Sequence, residues 1–288
     1  MTRNILHILE ERMDTFSKGQ RRIARFILDH YDEAAAMTAS RLGKLAGVSE
    51  STVVRFASEL GYDGYPSMQR ALQEILRGRL TSTQRIQAAG SLLAGHDVLG
   101  AVLQSDIEKL REVVSQADRR AFAGVVDKIQ AARHVYILGA RSSTFVAGYL
   151  NFYLHLLMEN VTLVQASAAG EIFEQLFRIG PGDVMIAISF PRYSSVTVNT
   201  VKFAKARGAT IVAITDNQRS PVYRMSDAAL LAPSEMISFV DSMVAPLSLI
   251  NALVVALAGR LGRDAAATFS QLESIWNEYG VFGKADDE

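Results

Sequence analysis

Five short β-rich runs, separated by stretches long enough for a helix, constrain this chain more than any other feature. Val135–Leu138 stops at Gly139, and Val161–Val164, Asp183–Ser189, Thr210–Thr215 and Ala228–Leu231 follow, each after a helix-length interval. Strands that alternate with helices imply a parallel sheet covered on both faces, and the right-handed crossover rule makes that sheet doubly wound. Helical stretches at 97–115 and 119–131 lead into the first strand, and two more, through 241–259 and about 264–279, follow the last. On the final helix Leu272, Ile275, Trp276 and Tyr279 make an apolar stripe that suits a core or a subunit interface. The expected C-terminal part is therefore an α/β domain, a doubly wound parallel five-stranded sheet.

The residues before position 78 carry a helical period only. Ile5, Ile8 and Leu9, then Ile23, Phe26 and Ile27, repeat at helical spacing over 4–13 and 17–30, with Ser17 as an N-cap. Ala39 to Gly61 then fits two short helices joined by a tight turn. On the first, Leu42, Leu45 and Ala46 form one inward face, Gly47 supplies the left-handed backbone of a sharp ending, and Val48 plugs the corner. Ser49 caps the second helix, Glu50 suits its positive end, and Val53, Phe56, Ala57 and Leu60 form the buried stripe. Ser51, Thr52, Arg55 and Glu59 are left facing outward. Such a pair is either an ordinary helical hairpin or a DNA reader, and the outward residues suit the second. Small polar side chains at a helix start approach base edges, and an arginine one turn on can fork onto guanine or a phosphate. Arg41 and Lys44 on the first helix, with Lys18, Arg21, Arg22 and Arg25 ahead of the turn, are candidate phosphate contacts. A helix at about 67–76 closes this all-α helix-turn-helix domain over residues 1–77, and the Gly-, Ser- and Thr-rich residues 78–96 read as a linker to 97–288.

The 288 residues are 49% hydrophobic, enough for buried cores. The absence of cysteine excludes disulfides, iron–sulfur clusters and thiolate zinc sites, and no charged-then-apolar leader opens the chain, so a cytoplasmic protein with no membrane partner is expected. The most apolar stretch, 243–258, is interrupted by Pro246, Ser248 and Asn251 and falls short of the roughly 20 residues that span a bilayer. Thirty basic and 30 acidic residues balance to zero, so any DNA contact must come from a local patch.

In open α/β sheets ligands settle beyond the carboxyl ends of strands, where helix N-termini attract anions. Two strand ends stand out there. The run Gly139-Ala-Arg-Ser-Ser-Thr144 follows the first strand, and Ser189-Phe-Pro-Arg-Tyr-Ser-Ser195 follows the third. Both place hydroxyls and an arginine at the start of a helix, which suits a phosphate or carboxylate, although Ser and Thr also serve simply as caps.

The stretch Leu45 to Tyr62 resembles the N-terminal domain of the RpiR family of bacterial transcription regulators. Gly47-Val48-Ser49, Thr52-Val53, Arg55-Phe56 and Leu60-Gly61 carry that resemblance. Residues from about 120 to 260 resemble a sugar isomerase (SIS) domain, notably through Gly182-Asp-Val-Met-Ile-Ala-Ile-Ser-Phe, Ala204-Lys-Ala-Arg-Gly-Ala, and Ala213-Ile-Thr-Asp with Ser220-Pro221. RpiR-type regulators couple these two domains in this order. The resemblance implies DNA binding, and the expected contacts are Ser49, Thr52 and Arg55 within the matching motif, with Ser51, Arg41 and Lys44 beside it. Gly139, Ser143, Ser189 and Ser194 match SIS positions, and the expected effector site adds their loop neighbours Arg141, Ser142, Arg192 and Ser195, with Glu235.

The two loops depart from the SIS pattern. The first commonly reads Gly-x-Gly-x-Ser and the second Ser-x-Ser-Gly-x-Ser/Thr, so Arg141 replaces a glycine and Pro191-Arg192 replaces Ser-Gly. A carboxylate-bearing or more highly charged ligand would satisfy the two guanidiniums, and so would an ion pair with Glu171 or Glu235. A phosphosugar isomerase on the same fold is the rival. It would need a general base such as Glu171, Glu235 or His155, yet no acid–base pair stands at a diagnostic spacing. The expectation is a homodimeric or homotetrameric regulator that binds a double-stranded DNA operator and senses a small anionic effector, with no cofactor, no metal and no catalytic residue.

Overall fold

The computed structural model describes residues 5–79, 83, 85–86, 97–165, 169–234 and 240–282, which fall into two compact units divided after Ala88. The first unit is all helical. Its elements are α1 (Ile5–Glu11), a 3₁₀ turn (Met13–Thr15), α2 (Lys18–Asp29), α3 (Tyr31–Ala34), α4 (Ala39–Ala46), α5 (Glu50–Glu59) and α6 (Gly64–Arg79). Ser17 begins α2 with a full capping box, accepting from the Gln20 amide while the Gln20 side chain accepts from its own. One apolar cluster joins Ile5, Leu9, Ile23, Ile27, Leu42, Val53, Phe56 and Leu72. Backbone carbonyls left open between α3 and α4 are met by α6. Tyr65 Oη and Gln69 donate to the Met37 carbonyl at 2.8 Å each, and Gln73 donates to that of Ala35 at 3.0 Å.

The second unit contains α7 (Val98–Gln116), α8 (Arg119–Gln130), β1 (His134–Gly139), α9 (Ser143–Leu157), β2 (Val161–Val164), α10 (Ala169–Gln175), β3 (Asp183–Ile188), α11 (Ser195–Ala206), β4 (Thr210–Thr215), α12 (Pro221–Met225), β5 (Ala228–Leu231), α13 (Val244–Leu261) and α14 (Arg263–Glu278). The five strands are all parallel, in the order β2-β1-β3-β4-β5. Alternation along each strand sorts its side chains to two cores. Val135 and Ile137, Val184 and Ile186, and Val212 and Ile214 face a cluster closed by α8, α9 and α13. Tyr136, Leu138, Met185, Ala187, Ile211 and Ala213 face the other, closed by α10, α11 and α12.

Helix α13 is long and apolar enough to cross a membrane by length and composition, with a mean hydropathy of 1.8. In the folded unit it lays Ala245, Ile250, Leu253 and Leu257 into the first of these cores, while Val255 on the same helix is 70% exposed. The stripe on α14 is not core. Ile275 is 49% and Tyr279 74% exposed. Residues 78–96, expected as a linker, lie largely outside the described residues.

Candidate effector site and nucleic-acid interface

The strand order places its switch point between β1 and β3, because the chain moves outward to β2 from β1 and then returns to build the other half of the sheet. The register pairs Gly139 with Ile188, so the loops after these two strands begin side by side on the carboxyl edge. Their helices then leave toward opposite faces, α9 to one core and α11 to the other. The result is a crevice with a helix N-terminus on each side, the arrangement that favours an anion.

Gly139 is where the first loop needs glycine. A Cβ there would lie 2.3 Å from the Ser143 carbonyl oxygen and 3.0 Å from the Ala147 Cβ, so any side chain would push α9 off the strand. Thr144 ties the turn by donating to the Gly139 carbonyl at 3.0 Å. Ser143 is buried at the start of α9. Ser142 and Ser194 occupy the N-cap positions of α9 and α11, yet neither side chain makes a capping hydrogen bond. Capping therefore does not account for these two hydroxyls.

The arginines carry an unusual backbone. Arg141 has φ 58° and Arg192 has φ 64°, the only non-glycine residues with positive φ among those described. These are the two positions where arginine stands in place of a glycine of the SIS pattern. Both loops thus keep a glycine-type turn while presenting an exposed guanidinium, and strained conformations of this kind cluster at functional sites. No ion pair joins either arginine to Glu171 among the described residues, and Glu235 lies outside them. His155 is exposed near the far end of α9, 12 residues and about 18 Å of helix beyond Ser143.

The second loop is tied to the end of β4 by residues that local periodicity did not single out. Thr215 donates to the Ser189 carbonyl at 2.6 Å, and Tyr193 donates to Asp216 at 2.8 Å (Oδ1) and 3.1 Å (Oδ2). Asn217 adds a 2.6 Å hydrogen bond to Asp216. Burial pushes the Asp216 carboxyl above its ordinary range, and the hydrogen bonds from Tyr193, Thr215 and nearby amides act in the opposite direction. At the amino end of the central strand β3 the buried Asp183 receives Arg133 Nε at 2.9 Å, Arg133 Nη2 at 2.8 Å and the Gly180 amide at 2.9 Å. Desolvation raises this carboxyl, but Arg133 and Gly180 outweigh it and hold it below the usual range.

In the first unit α4 and α5 form the expected turn. Gly47 ends α4 at φ 65°, and Ser49 caps α5 by accepting from the Thr52 amide. One expectation fails. Leu45 is 52% exposed, and the inward face of α4 is Leu42, Gly43 and Ala46. Gly43 takes the inner place because a Cβ there would lie 2.9 Å from the Val48 carbonyl oxygen, which only a glycine allows. Arg41, Lys44, Ser49, Ser51 and Arg55 are exposed, while Thr52 is half-buried with its hydroxyl 2.8 Å from Ser49 Oγ. Arg55 Nε reaches back to the Ser51 carbonyl at 3.3 Å, and exposed Val54 lies between them on the same face. Arg21 donates to the Phe16 carbonyl at 3.2 Å, so part of its guanidinium serves the fold.

Comparison with known proteins bears on both units. Residues 3–77 match the helix-turn-helix domain of the rpiR family and residues 128–256 match the SIS domain. The chain thus carries an rpiR-family helix-turn-helix domain followed by a SIS domain. It is 27% identical over 235 residues to an uncharacterized HTH-type transcriptional regulator of Haemophilus influenzae, covering 79% of each chain. It is 25% identical over 272 residues to the HTH-type transcriptional regulator HexR of Pseudomonas aeruginosa, covering 91% of this chain and 92% of that one. The sugar isomerase domain of an RpiR transcription factor from Sphaerobacter thermophilus superposes with a TM-score of 0.59 at 28% identity, covering 62% of this chain and 98% of that one. The Vibrio vulnificus NanR protein, solved in complex with ManNAc-6P, has the same fold over 98% of this chain and 100% of its own, with a TM-score of 0.59 at 22% identity. This chain is thus a transcriptional regulator that joins a helix-turn-helix domain to a SIS domain.

Proposed function

We propose that this regulator senses a small anionic metabolite, a phosphosugar or sugar-acid derivative, and through it controls a catabolic operon. Residues 1–77 bind a double-stranded DNA operator, 78–96 link the domains, and 97–288 hold the effector and join subunits into a homodimer or homotetramer. The protein works in the cytoplasm. The observation that carries the effector half is the pairing of Gly139 with Ile188, which sets the two hydroxyl-rich loops side by side between two helix N-termini. Hydroxyls and free amides at the positive ends of helices favour an anion, and charge-assisted contacts from Arg141 and Arg192 are about twice as strong as neutral hydrogen bonds. Ser142, Ser143, Ser189, Ser194 and Ser195, with Gly139 and Glu235, complete the proposed site. The ManNAc-6P complex of NanR supports a phosphorylated sugar as the ligand class of such a fold, and the two arginines here support a ligand richer in negative charge.

The reader half rests on the exposed residues Arg41, Lys44, Ser49, Ser51 and Arg55, with Thr52 shaping the cap. Subunit contact is supported by the apolar surface of the second unit, where Leu99, Phe145, Phe152, Val255 and Tyr279 are each more than half exposed. An effector acts only through its different affinity for DNA-competent and DNA-incompetent arrangements, a coupling of typically about 1–3 kcal/mol. Of the candidate bases for an isomerase, His155 is disfavoured, since it stands at the far end of α9 from Ser143.

The test is a thermal-shift screen of the full chain against phosphosugars, sugar acids and small carboxylates, followed by binding to its own upstream DNA with and without the hit. Arg192→Gln, or Ser189→Ala with Ser194→Ala, should abolish the ligand response and leave ligand-free DNA binding intact. Variants that respond normally would move the effector site elsewhere, and wild type that ignores its upstream DNA would refute the operator assignment.

A further inference from the structure

We propose that Tyr193 and Asp216 form a latch that holds the second serine loop, and the Arg192 guanidinium with it, in the conformation that receives the anion. The inference rests on the effector site described above and deepens it by naming what positions that site. Among the described residues, three pins hold the loop. Thr215 holds the Ser189 carbonyl, Phe190 is 4% exposed within the first sheet-face core, and Tyr193 is bound to both oxygens of Asp216.

Between the second and third pins lie only Pro191, whose ring fixes its own φ, and Arg192 at φ 64°. An L-residue stays in the left-handed region only where its surroundings over-determine it, and the Tyr193 anchor directly follows the strained residue. Ser194 and the start of α11 come next, so the same anchor sets the approach of the helix N-terminus. Asp216 is itself held by Asn217, and Thr215 Oγ1, whose proton serves the Ser189 carbonyl, lies 3.1 Å from it, so one half-buried carboxyl sits beside both the pin at Tyr193 and the pin at Ser189. An ionised carboxylate offers only acceptors and cannot bind an anion. Asp216 is therefore a positioning residue that acts through Tyr193.

The test uses the full chain with inorganic phosphate as the probe and chloride at matched ionic strength as the control. Phosphate affinity is read from the shift in unfolding temperature, and loop rigidity from amide hydrogen exchange over residues 190–195 without phosphate. Tyr193→Phe and Asp216→Ala should speed exchange in the loop and weaken phosphate binding about tenfold, the result of a competent fraction reduced to about one tenth. Asp216→Asn keeps a carbonyl oxygen to accept from Tyr193 and should retain most of the affinity. Phosphate affinity unchanged in Tyr193→Phe overturns the latch, even where stability falls, because the pair is then only structural. Wild type with no phosphate-specific shift overturns the anion site itself, and the latch's role in ligand binding goes with it.

Discussion

Replacing Arg141 by glycine should stabilise the ligand-free protein while weakening its hold on an anion. The magnitude follows from the backbone. At φ 58° an L-residue carries a penalty of about 1–2 kcal/mol that glycine does not feel. Glycine gives back about 0.5–1 kcal/mol because its unfolded chain is freer. The guanidinium is exposed and, among the described residues, makes no hydrogen bond or ion pair to offset this, so the net gain is about 0.5–1 kcal/mol. For a unit of this size that raises the unfolding temperature by about 1–4 °C. Scanning calorimetry on wild type and Arg141→Gly, with and without the metabolite found by screening, measures both sides of the trade. Arg141→Ala serves as the control, since it removes the charge but keeps the Cβ, and it should show the binding loss without the gain in stability. A glycine variant less stable than wild type would refute the reasoning, because the arginine would then be earning its place in the fold and not in the site.

Arg55→Ala should cost about 1–3 kcal/mol on the cognate operator if the side chain meets a base edge, and equal losses on cognate and scrambled duplexes in an anisotropy titration would reduce it to a phosphate contact. Asp183→Asn should destabilise the second unit by about 1–2 kcal/mol near neutral pH, a figure kept low because Arg133 is largely solvated. Since the folded Asp183 carboxyl lies below its ordinary value, that advantage is complete above about pH 4 and disappears as pH falls through the folded value. Denaturant melts of both proteins across the acid range check the sign, and a gap that persists at low pH contradicts it. Phe152→Glu, at a ring 60% exposed on α9, should shift the oligomer toward monomer in light scattering at micromolar concentration, and an unchanged mass would place the subunit contact on another face.

The elements legible in the sequence are those whose signal is local. β2, β4 and β5 begin and end as the β-rich runs do, and β3 stops one residue early at Ile188, although the Ser189 amide still donates to the Ile214 carbonyl at 3.1 Å. The turn between α4 and α5 was equally open to reading, since Gly47, Ser49 and the stripe Val53, Phe56, Ala57 act through their immediate neighbours. Leu45 shows where the method stops. A three- and four-residue repeat is satisfied by Leu42 with either Leu45 or Ala46, and the choice was decided by the close approach of the Val48 carbonyl to Gly43, a contact that periodicity does not encode. The short helices α3 and α10, of 4 and 7 residues, offer too few turns for a period to emerge.

The site divides along the same line. Its serines and arginines could be named because each loop directly follows a β-rich run. What holds the second loop could not be, because Tyr193 and Asp216 are 23 residues apart and meet only through the pairing of β3 with β4, in which Ile188 faces Ile214. A slip of one residue in that register would turn the strands' side chains to the wrong faces and carry Thr215 away from the Ser189 carbonyl. The register is held by the two cores, through Ile186 and Ile188 with Val212 and Ile214 on one face and Met185 and Ala187 with Ile211 and Ala213 on the other. Fold and site are thereby coupled. The packing that fixes the strands also fixes the distance across which Tyr193 reaches Asp216, so core substitutions on β4 that leave the fold intact should alter ligand affinity before they alter DNA binding. Val212→Ala, which removes two buried methyl carbons and costs about 1–3 kcal/mol of stability, tests this by comparing phosphate and operator affinities in one variant. Equal losses in both would mean that the strand carries stability alone and that the register is not what sets the site.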